Sequence, residues 1–166
     1  MKNLLFLCGP NGIGKTTICK EIVRILPNCA YVDSDPCRAM NPFVLNDDTI
    51  PTVSQNIGDM ILNYFNCPIV QTVIFSYGFH GRRREVFENV MNQISVSDYL
   101  FKPYLLWCAK DEHIRRMHMD NRSAERIERA LSQSRKAFDG LPYPRIDITD
   151  WTAEQAARRI LLEAGL

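Results

Sequence analysis

An apolar run that ends in G-x-x-x-x-G-K-T leaves a chain few ways to fold, and Leu4 to Thr17 read LLFLCGPNGIGKTT. The run predicts a buried strand, and the following T-T-I-C-K-E-I-V-R-I-L predicts a helix opening at Thr16. Strand, glycine-rich turn and helix in that order are the context of the P-loop, and each residue type in it has a physical task. Gly9, Gly12 and Gly14 let the backbone take conformations closed to other residues and approach a phosphate closely. Successive N–H groups then converge on the anion, and the positive end of the helix adds to the attraction. Lys15 is expected to reach the outer phosphates and Thr16 to offer its hydroxyl to Mg²⁺. The whole turn, Gly9, Pro10, Asn11, Gly12, Ile13, Gly14, Lys15, Thr16 and Thr17, is the expected cradle for ATP. A dinucleotide fingerprint read from Gly12 and Gly14 fails, because Thr17 stands where the third glycine belongs.

The rest of the chain alternates apolar and amphipathic segments. Cys29 to Val32 predicts a second strand that runs into Asp33-Ser34-Asp35-Pro36. In an open α/β sheet ligands bind at the carboxyl ends of strands, so both acids are candidates for chemistry. Residues 38–52 lose the pattern and predict a mobile connection. Helical spacing returns over 53–66, and Ile69 to Phe75 predicts a third strand with the continuous apolar character of a buried parallel one. Its exit, Ser76 to Arg84, is flexible, aromatic and basic. A helix over 84–94, a fourth strand over 104–108 with Pro103 at its entrance, and a helix capped by Asp111 follow. Residues 116–135 are arginine-rich and poor in large apolar side chains, which predicts a lid with little to hold it in a core. Arg145 to Thr149 predicts the fifth strand, and Thr152 with Gln155 forms a capping box for a last helix ended by Gly165. The alternation predicts a single 166-residue α/β domain, a three-layer sandwich around a five-stranded parallel sheet.

Composition narrows the function classes. With 20 Lys and Arg against 19 Asp and Glu, generic attraction to nucleic acid or an anionic membrane is disfavoured. The six cysteines are scattered with no C-x-x-C, which reads as buried hydrophobes in a reducing compartment, so cytoplasm is the expected location. No apolar run approaches membrane-spanning length. Switch GTPases read their base with N-K-x-D, which is absent; Cys108-Ala109-Lys110-Asp111 carries the wrong residue types. A Walker-B acid would end strand three, where Ile74-Phe75-Ser76 stands instead.

With its N-terminal P-loop, the acid motif after strand two, the arginine-rich lid and a final I-D-I-T, the chain resembles the small P-loop kinases: shikimate kinase, gluconate kinase, chloramphenicol phosphotransferase and the nucleotide kinases. The resemblance implies strand order 2-3-1-4-5 and transfer of the γ-phosphate of ATP, with Mg²⁺, to a small-molecule acceptor. It implies that Asp33 organises the metal and that Asp35 meets the acceptor hydroxyl. Asp35-Pro36-Cys37-Arg38 also looks like the D-x-x-R of polynucleotide kinases, in which the arginine meets an acceptor phosphate. The glycine-rich acceptor loop of shikimate kinases is replaced here by YGFHGRRR, which argues against shikimate. Arg116 and Arg122 are the lid candidates, one beside adenine and one on the transferred phosphate. Arg38, Tyr77, Gly78, His80 and Arg82 are the candidates for acceptor binding; Arg38 and the Arg82 to Arg84 cluster favour an anionic acceptor, with a surface charge the alternative for at least one of these arginines. Tyr77, Phe79 and Trp107 are candidates to stack on a ring, with a core position the alternative for Trp107; His113 and His118 form no metal pair. A monomer or homodimer is expected. The competing readings are a 5′-hydroxyl nucleic-acid kinase and a non-catalytic nucleotide-binding module.

Overall fold

A computed structural model describes all 166 residues. Five parallel strands lie in the order β2-β3-β1-β4-β5. β1 (Lys2–Cys8) is central, flanked by β3 (Thr72–Tyr77) and β4 (Tyr99–Trp107). β2 (Cys29–Asp33) adds outside β3, and β5 (Arg145–Asp147) outside β4. Alternate side chains of a strand face opposite sides of a sheet, and β1 divides its residues accordingly. Leu4, Phe6 and Cys8 enter the core beneath α2 (Thr49–Asn66) and α3 (Arg83–Ile94), while Leu5 and Leu7 enter the core beneath α1 (Lys15–Ile25) and α6 (Ala153–Ala164). Both faces are covered, which is why β1 reads as an unbroken apolar run. No helix is long and apolar enough to cross a membrane.

Several boundaries differ from expectation for local reasons. The connection over 38–52 is partly structured: a 3₁₀ turn spans Pro36–Arg38 and α2 begins at Thr49. Ile50 carries the buried stripe of Val53, Ile57, Ile61 and Phe65 one turn earlier. Pro51 is tolerated there because a first-turn residue has no intrahelical N–H bond to lose. The third strand is shifted along the chain to Thr72–Tyr77, all six residues buried, and Ile69 lies outside it, exposed. Pro103 sits inside β4, not at its entrance; it pairs in register with Phe6, but β5 joins β4 only from Leu105 onward. At Pro103 one side of β4 is therefore an edge, where a missing N–H costs no ladder bond.

The arginine-rich segment is also better anchored than its composition suggests. It holds α4 (Lys110–Met119), α5 (Ala124–Arg129), a π-helical turn at Ala130–Ser134 and a 3₁₀ turn at Lys136–Phe138. Ala109 is the N-cap of α4, and Asp111 lies in its first turn. Met117, Ile127 and Ala130 bury one another in a small core of their own, and Phe138 enters the main core, stacked 5.4 Å from Phe79.

Candidate functional site

The carboxyl ends of β1, β2 and β3 and the arginine-rich segment enclose a cavity of about 570 Å³. The central strand has neighbours of different sequence order on its two sides, and a crevice opens at such a switch point. Only three of the 23 residues that line it are hydrophobic.

The P-loop forms its floor. Gly9, Gly12 and Gly14 adopt φ of 155°, 81° and 108°. At Gly12 the constraint is also steric, since an added Cβ would stand 2.4 Å from Met117 Cγ. Helix α1 opens at Lys15 with no side-chain cap, so its first N–H groups are left for a ligand in the cavity. Lys15 Nζ donates to Gly9 O at 2.7 Å and Pro10 O at 2.9 Å. Burial pushes its ammonium down to about 8, with the Arg122 cation contributing. Asn11 ties this loop to its surroundings: its N–H donates to Ser134 Oγ (3.0 Å), its carbonyl accepts from His113 Nε2 (2.7 Å), and its amide meets His80 Nε2 (3.3 Å). His113 Nε2 therefore carries the proton, which leaves Nδ1 to accept from Arg135 Nη1 at 3.3 Å. Arg135 also donates to Cys108 O.

The acids stand on the next wall. Asp33 ends β2, and its Oδ1 accepts from the backbone N–H of Asp35 at 3.1 Å. Asp35 begins the 3₁₀ turn and is paired with Arg38. Tyr77, Gly78, His80 and Arg83 also line the cavity. Burial, together with Lys15 and Arg38, pushes His80 down to about 4, so its ring is neutral at ordinary pH.

The structure brings Lys15, Thr16, Thr17, Asp33, Asp35, Arg38, Tyr77, Gly78, His80 and Arg122 to this one cavity. Arg116 and Arg82 are not brought there. Arg116 donates to Ile13 O (2.9 Å), Ile148 O (2.7 Å) and Glu112 (2.7 Å), which makes it a staple beneath the P-loop. Arg82 is held at the surface by Asp47 and Glu85. Phe79 belongs to the core with Phe6, Phe87 and Phe138. Trp107 is half-buried outside the cavity, with the guanidinium groups of Arg135 and Arg145 at 4.0 and 4.5 Å from its ring centre.

Of the Arg82 to Arg84 cluster the cavity takes Arg83, while sequence reading passed over Arg126, Arg129 and Ser134, all of which line it. A signal for two of them was present: Arg126 and Arg129 stand three apart, the spacing of one helix face, and both fall in α5. Arg122 also has a buried Nε with no partner, close to Gly12, as an anion-binding group without its anion would.

These features fit a nucleoside triphosphate. The uncapped helix N-terminus, Lys15 and Arg122 with its unpaired Nε all line one cavity, and such donors suit phosphate oxygens. Thr16 and Asp33 both line the cavity and offer oxygen ligands; magnesium takes one or two protein oxygens and completes its shell with water and substrate phosphates.

No protein-family model matches the chain, and no curated protein does. Solved structures resemble it over its full length at low identity. The tunicamycin resistance protein of Deinococcus radiodurans superposes with a TM-score of 0.68 at 15% identity, covering 100% of this chain and 97% of that one. A gluconokinase from Sinorhizobium meliloti gives 0.66 at 13%, covering 98% and 91%. A sugar kinase from Janibacter sp. gives 0.62 at 14%, covering 99% and 96%. With the same strand order and a P-loop at the switch point, the chain has the fold of the small P-loop kinases.

Proposed function

We propose that this chain is an ATP-dependent phosphotransferase acting on a small, anionic, hydroxyl-bearing acceptor. The observation that carries the reading is the convergence of Lys15, Asp35 and Arg122 on one polar cavity that also extends to Tyr77, His80 and Arg83. Residues 9–17 hold the triphosphate, and residues 116–135 form the lid of a single kinase domain. Arg122 reaches the phosphates from the lid, with Arg126 and Arg129 behind it. The acceptor lies between Asp35 and the loop from Tyr77 to Arg83.

Phosphoryl transfer asks a protein mainly for alignment and neutralisation of charge. Asp35 takes the proton of the acceptor hydroxyl, the acceptor oxygen bonds to the γ-phosphorus, and the bond to the β–γ bridging oxygen breaks to release ADP. Thr16 and Asp33 are the residues that would hold magnesium, which would supply neutralisation of the triphosphate's charge. Lys15 and Arg122 offset the charge that builds on the transferred group. The free cysteines suit a reducing compartment, and we assign the enzyme to the cytoplasm.

The test is an ADP-release screen with Mg-ATP across sugars, nucleosides, nucleotides, hydroxy acids and amino alcohols, with Lys15→Ala as control. At least one acceptor should raise ADP release well above that control and carry the labelled phosphate. ATP binding without transfer to any acceptor would replace this reading with that of a nucleotide-binding module. Transfer only to 5′-hydroxyl oligonucleotides would replace the small acceptor.

A further inference from the structure

No carboxylate stands at the end of β3, and a row of hydroxyls occupies the place. Ser76, the next-to-last residue of β3, pairs in register with Asp33 on β2 and is only 6% exposed, yet it lines the cavity. It shares the α1 side of the sheet with Ile74, two residues earlier, and Tyr31 packs into the same side from β2, two residues before Asp33. The Tyr31 phenol and the Ser76 hydroxyl lie 3.0 Å apart. The Thr16 hydroxyl is close enough to interact with the phenol as well. Cys19, buried in α1 one turn beyond Thr16, completes the cluster beside Tyr31 and Ser76. Tyr31 itself stands behind the cavity wall, so it takes no part in binding or transfer as described above.

We infer that Tyr31 is a positioning residue for the metal ligand Thr16: its phenol oxygen accepts from the Thr16 hydroxyl and its own O–H donates to Ser76, which turns the Thr16 lone pairs to the cavity. This rests on the kinase reading and specifies how one of its two metal ligands is aimed. A helical threonine otherwise turns its O–H back to a carbonyl three or four residues earlier, which for Thr16 is P-loop backbone. One of those carbonyls, Ile13 O, already accepts from Arg116. A hydroxyl has one proton, so once it donates to Tyr31 it presents only lone pairs elsewhere, as a divalent cation requires. The phenol also has one proton, and accepting from Thr16 makes it the donor to Ser76. Ser76 keeps its own O–H to donate at the cavity wall, in register with Asp33, the second ligand. The hydroxyl row thus supplies orientation at the place where a Walker-B acid would supply charge.

The experiment uses the full chain with the β,γ-imido analogue of ATP, which is not turned over, and Mn²⁺ as the metal probe. Affinity of the protein–analogue complex for Mn²⁺ is read from the free-ion EPR signal with protein in excess, and affinity for the analogue alone by calorimetry in EDTA. Tyr31→Phe, which keeps the ring and loses the hydroxyl, should lower Mn²⁺ affinity about tenfold and change metal-free affinity by less than about twofold. Ser76→Ala should lower Mn²⁺ affinity by a smaller factor, because Thr16 keeps its acceptor. Thr16→Ala removes the ligand, and Tyr31→Phe added to it should cause no further loss. Thermal unfolding of each unliganded variant checks the fold, and Ser76→Ala carries the test if Tyr31→Phe does not fold. Unchanged Mn²⁺ affinity in the folded variants, equal losses of analogue affinity with and without metal, or additive losses in the double variant would overturn the inference and leave the kinase reading standing. A wild-type chain that binds no nucleotide would overturn both.

Discussion

Raising the pH should weaken nucleotide binding through Lys15, and the structure says by how much. Burial pushes the Lys15 ammonium down to about 8 in the unliganded chain. Its two acceptors, Gly9 O and Pro10 O, suit a neutral amine, which has two N–H groups to donate. A triphosphate needs the charged form, so binding above the depressed value must draw a proton from solvent. If phosphate holds the group fully charged, the binding penalty is a factor of 1 + 10^(pH − pKa), about 1.1 at pH 7, about 2 at pH 8 and about 11 at pH 9. The stability effect has the opposite sense. Because the folded value lies below the unfolded one, the unfolded chain binds more protons between about pH 8 and pH 10.5, and the unliganded fold gains stability from this residue as pH rises through that window. Buried Cys8 and Cys19, both pushed up to about 12, remain thiols throughout and do not confuse the reading. The assay is titration calorimetry with Mg-ATP at pH 7, 8 and 9 in two buffers of different ionisation enthalpy. The expected result is about a tenfold loss of affinity from pH 7 to 9, with proton uptake rising from about 0.1 to about 0.9 per site. Lys15→Met should bind weakly at every pH with no such uptake. Affinity independent of pH, or wild-type uptake equal to that of Lys15→Met, would refute the argument.

Other perturbations separate binding, catalysis and stability. Gly12→Ala places a methyl group 2.4 Å from Met117 Cγ at φ 81°, so nucleotide-dependent thermal stabilisation should be lost, and Met117→Ala in the same chain should restore folding stability more than binding. Arg116→Ala removes a staple between Ile13 O, Ile148 O and Glu112; it should lower stability by about 2 kcal/mol in urea unfolding and raise KM for ATP more than it lowers kcat. Asp35→Asn should lower kcat far more than ATP affinity, and equal loss of both would reassign Asp35 to ground-state binding. Phe138→Ala should cost about 3–5 kcal/mol of unfolding free energy, because a fully buried ring packed on Phe79 leaves a cavity in the main core.

What could be read from sequence alone was whatever depends on neighbours along the chain. The run Leu4 to Cys8, the glycines at positions 9, 12 and 14, and the Thr152–Gln155 capping box each carry their own physical reason within a few residues, and each stands in the structure as expected. The parallel sheet follows from alternation of such segments, and the order β2-β3-β1-β4-β5 agrees with the kinase resemblance. Boundaries slipped where a partner strand or an extra buried residue decided them: Pro103 is tolerated because β5 joins β4 two residues later, and Ile50 begins α2 because it reaches the core. The fates of the arginines could not be read in this way. Arg116 looks like a phosphate ligand until Ile13, 103 residues away, and Ile148 claim its donors; Arg82 looks like an acceptor ligand until Asp47 neutralises it. A guanidinium binds whichever carbonyl or carboxylate is nearest in space, and the spacing of Arg126 and Arg129 on α5 says which face they share, not what lies opposite. The amino-acid sequence thus determined that a glycine-rich turn with a lysine closes the central strand, whereas only the tertiary structure selected Arg38, Arg83 and Arg122 to line the cavity beside it, because charge pairing at that distance is decided by packing.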